Sequence, residues 1–89
     1  MERRHVIIYG RVQGVGFRFG VERAANTRSV AGWVRNRPDG TVEAVFEGEL
    51  EDVEALVEFC RRGPRGSEVE RVAVELESAA GLTGFHLAG

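Results

Sequence analysis

Hydrophobic positions along the chain change their period several times, and each change marks an element. From His5 to Val12 the residues are mostly Val, Ile and Tyr, without Pro, and the run stops at glycines. This predicts a strand, and its nearly unbroken apolar character predicts a central one. Phe17, Val21, Ala24 and Ala25 then recur at the spacing of one helical face running to about Thr27, with alanines and Glu22 in support. Val30 to Asn36 predicts a second strand and Thr41 to Gly48 a third, with Val42, Ala44 and Phe46 on one face and Glu43 and Glu47 on the other. Arg37, Pro38, Asp39 and Gly40 supply a turn between these two strands, which makes them a hairpin.

The clearest amphipathic helix follows, with Val53, Leu56, Val57 and Cys60 at i, i+3, i+4 and i+7. Acidic Glu49, Glu51 and Asp52 sit where its dipole is positive, Arg61 and Arg62 where it is negative, and Gly63 and Pro64 stop it. Val69 to Glu77 alternates, with Val72, Val74 and Leu76 inward and Glu75 and Glu77 outward, so it predicts a fourth strand with one wet face. Phe85 to Leu87 can add a short edge strand. The order βαββαβ, with that last strand, predicts an α+β ferredoxin-like sandwich: an antiparallel sheet with two helices on one face, in which strand two can run beside strand one. A chain of 89 residues has room for one such domain, residues 1–89, and shows no repeat or linker.

Composition narrows the function classes. With 43% hydrophobic and 29% charged residues the chain is an ordinary globule, and a formal charge of -2 argues against a general polyanion binder. Any anion site must therefore be local, and no nucleic-acid partner is expected. All 12 basic residues are Arg and none is Lys, which reads as a codon bias and is given no functional weight. The single cysteine, Cys60, excludes an intrachain disulfide and a multi-cysteine metal cluster, and its place on the helical apolar stripe predicts a buried small hydrophobe, not a nucleophile. The apolar run in MERRHVIIYG is too short for a signal peptide, and no stretch is long enough to span a bilayer. A cytoplasmic monomer without membrane partners is expected.

The candidate chemistry lies in GRVQGVGFR, Gly10 to Arg18, between the first strand and the first helix. Glycine is useful where φ is positive or where backbone must approach a ligand, and Gly14 and Gly16 are placed for that. A turn through them can aim successive N–H groups inward as an anion nest, and the helix N-terminus adds unpaired donors and a positive dipole end. Arg18, on the first helical turn, can present a guanidinium fork to two phosphate oxygens. The common nucleotide loops are excluded: the Walker pattern needs a Lys this chain lacks, and the dinucleotide pattern needs glycine where Phe19 stands. A tight strand-to-helix turn without function is the competing reading of the glycines.

A second cluster, GWVRNRPDG from Gly32 to Gly40, contains Asn36 at the end of strand two. Taken alone, Asn36 opens the turn by bonding its own backbone; an Asn carboxamide can also orient a water. The two blocks together, GRVQGVGFR and GWVRNRPDGTVE, resemble the paired signature of the acylphosphatase family, with CRRGP at the helix end and the late Gly84–Phe85 pair extending the likeness across nearly the whole chain. The resemblance implies hydrolysis of acyl phosphates to carboxylate and inorganic phosphate, with no cofactor and no metal. It assigns phosphate binding to Arg18 and to the backbone amides of Gln13, Gly14, Val15, Gly16, Phe17 and Arg18, and orientation of the attacking water to Asn36.

Where the family carries a Leu-Gly-Leu-like helix exit before Gly-Trp, this chain has Arg28, Ser29 and Val30, so the usual left-handed glycine cap is expected to be lost and Arg28 to need a partner. His5 and His86 lie far apart in sequence and receive no role. The rival function is a non-catalytic binding module for an anion or RNA. The RNA version is disfavoured by acidic residues in TVEAVFEG where stacking aromatics and basic side chains would be expected. Acylphosphatase-like domains also begin hydrogenase-maturation carbamoyltransferases, and the ending after the last strand favours an independent enzyme.

Overall fold

The computed structural model describes all 89 residues. Its elements are β1 (Glu2–Arg11), α1 (Phe17–Thr27), β2 (Ala31–Asn36), β3 (Val42–Gly48), α2 (Leu50–Arg62), β4 (Glu68–Glu77) and β5 (Phe85–Leu87). The sheet order is β4-β1-β3-β2-β5. Four strands pair antiparallel, and β5 joins β2 in parallel, so the ferredoxin-like sheet is mixed at one edge.

Strand β2 does not run beside β1. The α1 crossover carries the chain one strand position beyond β1, and the hairpin returns β3 into the gap, antiparallel to both neighbours. β1 is central as its apolar run requires, with Val6 and Ile8 fully buried.

One core lies between the sheet and the helices. Val6 and Ile8 of β1, Val34 of β2 and Val42, Ala44 and Phe46 of β3 meet Phe17, Val21 and Ala25 of α1 and Val53, Leu56 and Cys60 of α2. Every residue of the two helical stripes is therefore on the side its spacing assigned it. Phe17 meets Phe59 edge-on at 6.4 Å, and Phe46 stacks on Phe85 at 5.9 Å, which holds the three-residue β5 on the sheet.

Leu76 shares the face of Val72 and Val74, as the alternation requires, but lies beyond the cover of the core. It stands 74% exposed near the end of β4, the sheet's edge strand, where Val72 and Val74 are only half-covered. Glu47 is the opposite case. It lies on the face away from the helices, as the pattern of β3 requires, yet is fully buried. Its carboxylate accepts from the amides of Ala80, Gly81 and Leu82 at 2.7, 3.1 and 3.0 Å and pairs with Arg3 at 2.7 Å, so the segment between β4 and β5 folds over it. Burial by itself raises the Glu47 pKa; the three amides and Arg3 outweigh it and hold the carboxyl at about 2.

The exit from α1 keeps its left-handed cap without glycine. Ser29 has φ 56°, the one non-glycine residue in that region. Val30 N–H donates to the Ala25 carbonyl at 2.9 Å and Ser29 N–H to Asn26 at 3.2 Å, the pair of bonds that defines a Schellman ending. Arg28 finds its partner in Asp52, at 3.0 Å, on the first turn of α2.

Candidate active site

After β1 ends at Arg11 the chain turns through residues 12–16 into α1. Gly14 and Gly16 have φ 75° and 76°, and a Cβ on either would meet nothing within 4 Å, so the backbone conformation alone selects glycine there. Gly10 serves a different purpose. It lies within β1 at the register shift against β4, where a Cβ would stand 2.1 Å from the Glu68 carbonyl oxygen.

The turn leaves its donors free. Among the backbone bonds outside the regular ladders, none is donated by an amide of residues 13–18. Gly16 caps α1 without a side-chain acceptor, and the first turn carries no acidic residue. Half-buried N–H groups without intramolecular acceptors and the partial positive charge of a helix N-terminus are together able to receive an anion.

A cavity of about 250 Å³ opens over the turn, lined by Val12, Gly14, Gly16, Phe17, Arg18, Phe19 and Asn36. Two sites far apart in sequence, the loop and the end of β2, therefore share one pocket. Arg18 forms none of the chain's ion pairs; its guanidinium carbon lies 5.9 Å from the Phe19 ring centroid. Val15 turns away and packs against the core.

Asn36 is brought here by a stitch that sequence reasoning missed. The Gln13 side-chain amide donates to the carbonyls of Arg37 and Thr41 at 2.8 and 2.9 Å, tying the glycine loop to both ends of the β2–β3 turn across the start of β3. Asp39 closes that turn, accepting from the Thr41 hydroxyl at 2.6 Å and its amide at 3.0 Å, which lowers the Asp39 carboxyl below its usual range. Asn36 is thus not needed to close it. Phe19 was missed as well. Its signal was an apolar residue off the Phe17, Val21, Ala24, Ala25 stripe, and it stands 56% exposed at the pocket.

The other chemistry-bearing groups are occupied elsewhere. Cys60 is fully buried in the core, and burial pushes its thiol up to about 12. His5 meets Glu43 at 2.6 Å on the open face of the sheet, and His86 meets the Thr83 carbonyl at 3.1 Å. Glu43 is also held by Arg35 at 2.6 Å; burial would raise its pKa, but these two partners lower it. A wider depression of about 610 Å³ beside Trp33, Arg35, Glu43 and His86 therefore offers charges already satisfied by one another. No three His, Cys, Asp or Glu side chains converge in a way that could hold a metal ion, and no helix is long and apolar enough to cross a membrane.

The acylphosphatase family model matches residues 4–87 of the chain. This chain belongs to the acylphosphatase family. It is 55% identical over 87 residues to an acylphosphatase from Thermococcus kodakarensis, covering 98% of this chain and 96% of that one. An acylphosphatase from Trichormus variabilis is 52% identical over 85 residues, covering 96% and 84%. The crystal structure of acylphosphatase from Bacillus subtilis superimposes with a TM-score of 0.96 at 39% identity and full coverage of both chains. The fold also matches 12% of full-length HypF, solved in its phosphate- and nucleotide-bound form, with a TM-score of 0.91, 30% identity and 99% of this chain covered. Family and fold together make the chain a hydrolase acting on acid anhydrides, which replaces the non-catalytic binding module as the reading of the chain.

Proposed function

We propose that the chain hydrolyses the carboxyl–phosphate bond of acyl phosphates by in-line attack of water, with the phosphate held by the amides of residues 13–18 and by Arg18, and the water oriented by Asn36. The observation that carries this reading is the single 250 Å³ pocket in which Gly14, Gly16, Arg18 and Asn36 meet. An acyl phosphate is a mixed anhydride whose leaving group is a carboxylate, stable without protonation. No strong general acid is then required. The cradle neutralises charge on the equatorial phosphate oxygens, while Asn36 accepts a hydrogen bond from the water or donates one to it. The water's proton passes to the phosphate, giving carboxylate and inorganic phosphate.

The test is hydrolysis of a simple acyl phosphate by the wild type, Arg18→Ala and Asn36→Ala. Arg18→Ala should lose about 2 to 4 kcal/mol of transition-state stabilisation, as for removal of an oxyanion donor, and bind inorganic phosphate more weakly. Asn36→Ala should abolish turnover while phosphate still binds. Full activity in both variants would sink the site assignment.

A further inference from the structure

The phosphate end of the pocket is served by main-chain donors and a guanidinium, yet much of its remaining wall is apolar: Val12 and Phe17 are buried around it, and Phe19 stands 56% exposed beside it. Phe19 takes no part in the core, which draws on Phe17 and Val21 from the same helix turn. A large exposed ring at a helix start leaves apolar surface in water, which is unfavourable unless something covers it. The rest of the substrate is joined to phosphorus through one bridging oxygen, so the acyl group cannot lie far from the phosphate cradle. The ring next to Arg18 in sequence, 5.9 Å from its guanidinium, is thereby within the neighbourhood the acyl group must occupy.

Resting on the proposed acyl phosphate reading, we infer that Phe19 is the acyl-recognition residue of this site, and that it selects acyl phosphates with a flat apolar acyl group over those with a small one. Benzoyl phosphate gains by laying its ring on Phe19, since aromatic pairs add specific geometry to area burial. Acetyl phosphate has too little surface to gain comparably.

The experiment compares benzoyl phosphate with acetyl phosphate for the wild type, Phe19→Ala and Phe19→Leu, with inorganic phosphate as a competitive inhibitor throughout. Because Phe19 is exposed, the variants should fold, and an unchanged inhibition constant for phosphate shows that the cradle and Arg18 are intact. The wild type should prefer benzoyl phosphate. Phe19→Ala should reduce that preference about tenfold, through KM more than kcat, and Phe19→Leu should restore part of it. Equal losses for both substrates, or loss of phosphate inhibition, would show that Phe19 acts through Arg18 and overturn the inference. An unchanged preference would overturn it too, while leaving the hydrolytic reading standing. A folded wild type inactive on both substrates defeats that reading itself.

Discussion

Gln13 spends both hydrogens of its side-chain amide on main-chain carbonyls, and that makes it the residue on which the site's two halves depend. Replacing it with Glu sets a carboxylate without donors against those two carbonyls. Gln13→Glu should therefore destabilise the fold by about 1 to 3 kcal/mol and slow acyl phosphate turnover, read by urea unfolding and by kcat. Ser29 carries the opposite opportunity. A left-handed conformation costs an ordinary residue roughly 1 to 2 kcal/mol, so Ser29→Gly should raise stability by about 1 kcal/mol and increase the melting temperature. In the sequence Arg28-Ser29-Val30 announced a missing glycine but not its outcome, because the bonds that preserve the cap are main-chain bonds common to any residue able to adopt that φ. Cys60 was legible outright: helical spacing put it in the core. Its thiol should resist a disulfide reagent in the native protein and react once the chain is unfolded in denaturant.

Among the elements, the helices were the most legible, since Phe17, Val21 and Ala25 on α1 and Val53, Leu56 and Cys60 on α2 repeat at a spacing that only one kind of element buries. Strands were harder. Alternation assigns a face but says nothing about how far cover extends, so Leu76 was placed inward although it stands exposed on the edge strand. In β3 the face of Glu47 was correct and its burial invisible. Its ligands come from residues 80–82, which follow no period, and from Arg3, ahead of the expected start of β1. Nor does spacing tell whether β2 or β3 takes the place beside β1. The Arg28–Asp52 bridge between α1 and α2 is partly exposed and screened by water, so Arg28→Ala should cost less than about 1 kcal/mol in thermal unfolding.

At the scale of the whole molecule, acid stability should be governed in part by Glu47. Its folded-state pKa of about 2 lies below the ordinary 4.5, so its contribution is complete above pH 4.5 and is lost as pH falls from there through about 2. Denaturant unfolding across that range should show stability falling toward acid. Glu47→Gln should lower stability at neutral pH and reduce the slope, with Glu43 and Asp39, both lowered as well, supplying the remainder. The unpaired donors of the glycine turn have a longer reach. Amides belong to the backbone, so among single substitutions only proline deletes one outright, whereas Arg18 and Asn36 can be erased by any ordinary mutation. Under the proposed mechanism, genetic drift would silence hydrolysis well before it removed affinity for phosphate. A descendant of this chain that has lost its chemistry would still begin as a ready-made phosphate receptor, open to recruitment as a sensor or as a subunit of something larger.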